Sequence, residues 1–162
     1  MQNRKVALYG VLIALAMIFS YIETMIPSIG IPGVKLGLAN LAVLAALYLM
    51  SPLDAFFISV VRIFLTAITF GNMFALWYSL AGGLLSLAVM TVCKKKKWLD
   101  QMGVSIAGGI THNLGQLLVA CMVLESAAVF TYLPVLLFSG TLTGALIGLL
   151  GGMILRRLPQ NW

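Results

Sequence analysis

Long apolar stretches alternate with short interruptions made of charges, prolines and glycine-asparagine pairs. Six stretches stand out, at about residues 6–22, 34–50, 53–70, 73–93, 104–124 and 136–155. Each is close to the ~20 residues that a helix needs to cross a hydrocarbon layer about 30 Å thick. Backbone polar groups inside such a layer must be paired within the protein, so blocks of this length predict helices rather than isolated strands. The interruptions have different causes. Ser51-Pro52 stops the second block because proline cannot continue the hydrogen-bond ladder, and Gly71-Asn72 makes a turn. Residues 94–97 are four lysines, whose ammonium groups do not sit in hydrocarbon. A connector ending near Pro134 divides the last two blocks, and residues 23–33, with Pro27, Gly30, Pro32 and Gly33, read as a lid-like loop. The pattern predicts an all-α integral membrane protein, a six-transmembrane-helix bundle forming one domain over residues 1–162, without internal repeats or a linker to a second domain.

Charge orients this bundle. With six spans, the N-terminal tail, the second and fourth loops and the C-terminus share one side, and Arg4, Lys5, the lysines at 94–97, Arg156 and Arg157 all fall there. These are eight of the ten basic residues, so the positive-inside rule puts both termini in the cytoplasm of a multi-pass plasma (inner) membrane protein. The start resembles a signal peptide but has no convincing small-residue cleavage site before Ile26-Pro27, and is taken as an uncleaved first span. Composition agrees: 62% of residues are hydrophobic and 9% charged, against about half and about a quarter in soluble domains. The net charge of +6 is explained by basic clusters facing anionic lipid, with no need for nucleic acid. Cys93 and Cys121 lie in apolar stretches without a C-x-x-C pairing and read as core packing.

Two basic residues fall outside the clusters, Lys35 and Arg62. Arg62 sits about nine residues into the third block, about 14 Å deep at 1.5 Å per residue. A cation there is costly and should face a polar interior and a partner. In the fifth block His112, Asn113 and Gln116 share one helix face, since spacings of three and four return to the same side. Asn40 lies inside the outer end of the second block, Lys35 at that end, and Asn72 at the outer turn. Together these residues outline a net positive, outward-opening cavity suited to a phosphate, a carboxylate or another strongly polar group. The acids are Glu23, Asp54, Asp100 and Glu125, and none is placed by the pattern at mid-membrane to neutralise Arg62. The competing structural reading has Arg62 held by helix-end carbonyls and amides, the stripe bonding between helices, and Lys35 snorkelling.

Small residues supply a second signal. Gly140, Gly144, Gly148 and Gly152 recur every four residues, and Gly10 and Ala14 have the same spacing. Such ridges permit close helix approach, either within the bundle or to a partner membrane subunit. Phe74, Trp77 and Tyr78 either form an interfacial belt or stack on an aromatic ligand. No G-x-x-x-x-G-K-[ST] is present, so the chain does not drive itself with ATP. There is no H-E-x-x-H and no aspartate-rich magnesium motif, and one histidine without a nucleophile and an orienting acid makes no triad. The expectation is a non-enzymatic chain without a cofactor or a metal.

The strings Pro32-Gly-Val-Lys-Leu-Gly-Leu-Ala-Asn-Leu41, Val60-Val-Arg-Ile63, Phe70-Gly-Asn72 and Thr111-His-Asn-Leu-Gly-Gln-Leu117 resemble the Gx transporter family, also labelled heptaprenyl diphosphate synthase component I. The resemblance runs over essentially the whole chain. That family is similar in size and helix count to the substrate-binding S components of energy-coupling-factor (ECF) vitamin transporters. The resemblance implies capture of a vitamin-like solute from outside, with a membrane T component and ATPase subunits as partners. It makes Lys35, Asn40, Arg62, Asn72, His112, Asn113 and Gln116 binding residues, and Gly10 and Ala14 stand where S components carry docking alanines. Gly140, Gly144 and Gly148 are further docking candidates. The synthase label implies two aspartate clusters, whereas this chain has two aspartates in all. The leading expectation is a capture subunit for an anionic or amphipathic molecule such as a flavin, another vitamin or a quinone or isoprenoid precursor. The alternative is a membrane scaffold of a prenyl-quinone or electron-transfer system.

Overall fold

The computed structural model describes residues 2–25 and 37–157. Six α-helices and one 3-10 turn follow in order: α1 (Gln2–Met25), α2 (Leu38–Leu49), α3 (Pro52–Phe70), α4 (Met73–Lys96), α5 (Gln101–Leu124), the turn Ala127–Tyr132, and α6 (Leu133–Leu155). No strand occurs among the described residues. Lys35 and most of the loop read as a lid lie outside them.

Local chemistry sets the boundaries. Ser51 caps α3 in a reciprocal box with Asp54, and Pro52 occupies the first turn, where its missing amide costs nothing. Asn72 and Asp100 cap α4 and α5 by accepting from the amides of Ala75 and Gly103. Three of the predicted edges move. The lysines do not end α4: three of them occupy its last turn, where cations favour the negative end of the helix, and the stop is Lys97 in the left-handed conformation at φ 54°. Pro134 begins α6 instead of closing the connector before it, because a proline fits the first turn. Gly37, left-handed at φ 68°, starts α2 at Leu38, later than the apolar block suggests.

Five helices are therefore long and apolar enough to cross a membrane, which is compatible with a multi-pass membrane protein, and α2 is the shorter sixth. At 12 residues it extends about 18 Å. It is also the most buried helix: Ala39 and every residue from Leu41 to Leu47 are in the core, as expected of a helix apolar on all sides. The main cluster forms around it, with Leu44 and Leu47 meeting Leu12, Ile58, Met90, Val104 and Ile147 from the surrounding helices.

The remaining helices divide into a tight and a looser group. The broadest packing joins α5 to α6 and α4 to α5. Glycines allow it: a Cβ on Gly144 would stand 2.7 Å from Ile106 Cα of α5, and one on Gly115 2.7 Å from the carbonyl oxygen of Ala81 in α4. Gly140 and Gly148 face α5 in the same way, so this ridge is consumed inside the bundle and is not open to a partner. Gly10 and Ala14, in contrast, are exposed on α1, and a Cβ on Gly10 would meet nothing within 4 Å.

Cross-helix bonds fix one end of the bundle. Lys5 Nζ pairs with Asp54 at 2.8 Å, and Lys94 donates to the carbonyl oxygen of Leu47. Gly151 lies against Gln101. The start of α1, the α2–α3 turn, the α4–α5 turn and the end of α6 therefore gather together, and all eight clustered basic residues belong to these segments. The free thiols Cys93 and Cys121 are buried and half-buried.

Candidate functional site

Counting along each helix from its basic end places the polar residues at one depth. Asn40 is nine residues from the end of α2, Arg62 ten from the start of α3, and His112 eleven from the start of α5. These offsets correspond to about 14, 15 and 16 Å, mid-membrane for a 30 Å core. The three meet there. Arg62 is only 7% exposed, and its Nη2 donates to Asn40 Oδ1 at 2.7 Å.

Arg62, Asn40, His112, Asn113 and Gln116 line one cavity of about 100 Å³ between the helices. The guanidinium faces this void, and its Nε has no partner among the described residues. Asn113 has a second duty, since its Nδ2 donates to the Leu136 carbonyl at 2.7 Å and to Ser139 Oγ at 3.2 Å, tying α5 to α6. Asn72 does not join the group. Its side chain accepts from the Ala75 amide at 2.8 Å as the cap of α4, and it is exposed.

Glu23 is the residue that pattern reading missed. It belongs to the last turn of α1 rather than to a loop, and it lines the cavity with Arg62, close enough for its charge to act on the guanidinium. Its Oε1 accepts from the Leu38 amide at 2.6 Å. The reason is the start of α2: Gly37 has no side chain to cap the helix, and a carboxylate from another element satisfies an amide at its positive end. The cavity therefore contains a carboxylate as well as a cation and is not simply positive. Ser20, Thr66, Ser79 and Thr143 add hydroxyls to the lining, with Thr66 Oγ1 donating to Ser20 Oγ at 3.3 Å. Single hydroxyls barely change the hydropathy of a span, so the sequence hid them. A glycine that leaves the start of an apolar helix uncapped, with an isolated glutamate 15 residues before Leu38, was the available signal for Glu23.

The aromatic cluster divides. Phe74 and Trp77 are exposed on the outer surface, whereas Tyr78 turns inward and lines a second, apolar cavity beside the first. Among the described residues, no three of His, Cys, Asp and Glu gather as a metal site would require.

A family model described as heptaprenyl diphosphate synthase component I matches residues 12–154. No curated protein and no solved structure matches the chain. The chain belongs to the heptaprenyl diphosphate synthase component I family, also called the Gx transporter family.

Proposed function

We propose that this family member is a membrane-embedded solute-capture subunit, similar in role to an S component, and not an enzyme. Its solute places an anionic or strongly polar group in the chamber around Arg62. One observation carries this reading: a mid-membrane guanidinium, 7% exposed, borders a void lined by Asn40, His112, Asn113 and Gln116. A buried cation is costly, and a site that only packed helices together would have no use for an open volume beside it. Arginine presents five donors in a planar fork, more than Asn40 and the neighbouring Glu23 carboxylate need, so it is suited to bind a further carboxylate or phosphate.

The chain carries no G-x-x-x-x-G-K-[ST] motif, so ATP-driven uptake needs separate ATPase subunits, and these with a T component are the partner set this reading names. The basic end of the bundle faces the cytoplasm of the plasma membrane. Gly10 and Ala14 supply the open small-residue face for docking. The scaffold alternative relied on the ridge of Gly140, Gly144 and Gly148, and that ridge is buried against α5.

The test is retention of a small molecule by gently purified protein, read by mass spectrometry after extraction. Wild type should retain a species of defined mass. Arg62→Ala should retain at least about tenfold less and His112→Ala a reduced amount, since a hydrogen bond to a charged group contributes about 1.5–3 kcal/mol. Equal retention by wild type and Arg62→Ala would remove the site assignment.

A further inference from the structure

The chamber around Arg62 is small. At about 100 Å³ it holds about three waters at ~30 Å³ each, or one phosphate- or carboxylate-sized group. Sites that enclose whole drug-sized ligands run from about 300 to 1,000 Å³. The polar chamber alone therefore does not house a vitamin-sized solute.

Directly beside it, walled by α4, α5, the 3-10 turn and α6, is a second cavity of about 510 Å³. Its wall is mostly apolar and aromatic, with Leu117, Val129 and Leu136 alongside Tyr78 and Tyr132. The two spaces adjoin: Ala75, Ser79 and Gln116 line both. Gln116 and Ser79 are the polar residues at the junction, and beyond them the polar lining gives way to hydrocarbon and rings.

We propose that one amphipathic ligand fills both spaces, with a compact acidic head, phosphate or carboxylate, at Arg62 and Asn40 and an apolar body in the groove between α4, α5 and α6. This rests on the reading of the Arg62 chamber as the solute site and adds to it the shape and chemistry of the rest of the solute. The volumes assign the parts: the space that offers the cation admits only a head group, and the space that admits a body offers little for polar atoms. Gln116 sits where the two parts join and acts as a specificity residue, since its amide can bond the linking atoms of the ligand.

The experiment uses the full chain in phosphatidylcholine nanodiscs and three probes measured by titration calorimetry: 4-phenylbutyl phosphate, 4-phenylbutanol and inorganic phosphate. The phosphate ester should bind at least tenfold tighter than inorganic phosphate. Ala120→Phe, which fills the groove from α5, should erase most of that advantage and leave inorganic phosphate binding as it was. Val129→Trp does the same from the 3-10 turn, away from the helix contacts, and covers the case in which Ala120→Phe fails to fold. Arg62→Ala should weaken both phosphates at least tenfold and leave the alcohol unchanged. If both groove variants bind the ester as wild type does while Arg62→Ala does not, the two-part ligand is wrong and the chamber assignment stands. If Arg62→Ala has no effect, the chamber assignment itself fails. An ester that binds no better than inorganic phosphate means that bilayer acyl chains occupy the groove, and that overturns the proposal, as does a lack of binding by all three probes.

Discussion

Asp54 combines three roles that are usually separate. It accepts from Ser51 as part of the α3 cap, from the Tyr9 hydroxyl at 2.5 Å, and it pairs with Lys5, all while buried. The Lys5 side chain is 54% exposed, so that pairing contributes at most about 1 kcal/mol after solvent screening. The cap and the part-buried bond to Tyr9 together contribute more, at about 1 and about 1.5–3 kcal/mol. Asp54→Ala should therefore destabilise the purified protein by about 2–4 kcal/mol in thermal or denaturant unfolding, and Lys5→Ala by less than about 1. Equal losses would mean that the ion pair, not the cap and the phenol, holds α1 to α3. At this scale the sequence was legible where a residue's cost announces it. Arg62 stands out because nothing else at that depth is charged, and the stripe of His112, Asn113 and Gln116 follows from helical periodicity. Tyr9 with Asp54, and Glu23 with Leu38, stayed hidden because they join positions 45 and 15 residues apart through folding alone.

The helices show which signals are local. All six apolar blocks became helices, since block length and the need to pair backbone groups in hydrocarbon leave little choice. Their ends moved wherever a rule of thumb met a more specific geometry: lysines sat inside the last turn of α4, Pro134 opened α6, and a left-handed Gly37 shortened α2. The glycine ridge was equally visible, but whether it faced outward or inward depended on the neighbours. Lipid tails are as apolar as leucine, so helices in a membrane gain from close packing rather than from hiding apolar surface. Gly144→Val should accordingly separate α5 from α6, because its Cβ would stand 2.7 Å from Ile106 Cα and no side chain can move aside. A loss of at least about 2 kcal/mol is expected, in the range of overpacked cores. Gly10→Val, facing open space, should change stability by less than about 0.5 kcal/mol in the same assay.

Across the whole molecule, α4, α5 and α6 form the tightly packed part, and α1, α2 and α3 are joined to it more sparingly. The polar chamber lies between the two groups, with residues from both in its wall. Orientation is decided at this scale too, because the eight clustered basic residues come to one end only once the helices are assembled. Single cysteines introduced beside Lys96 and at Ser126, in a background lacking Cys93 and Cys121, should react from opposite sides of the membrane with an impermeant maleimide. The expected outcome is outside labelling at Ser126 and protection near Lys96 in intact cells, and labelling of both from the same side would overturn the arrangement.

The shortness of α2 has an electrical consequence. Its far end rests beside Lys94 at the basic end, so its first turn stops about 18 Å in, with a membrane core about 30 Å thick around it. Gly37 and Asn40, at that first turn, border the chamber. The positive end of that helix carries roughly half an elementary charge, fixed in the backbone and partly met already by Glu23 at the Leu38 amide. Whatever negative group enters the chamber is attracted by that interrupted helix as well as by the guanidinium, so the Arg62→Ala protein should bind weakly rather than not at all.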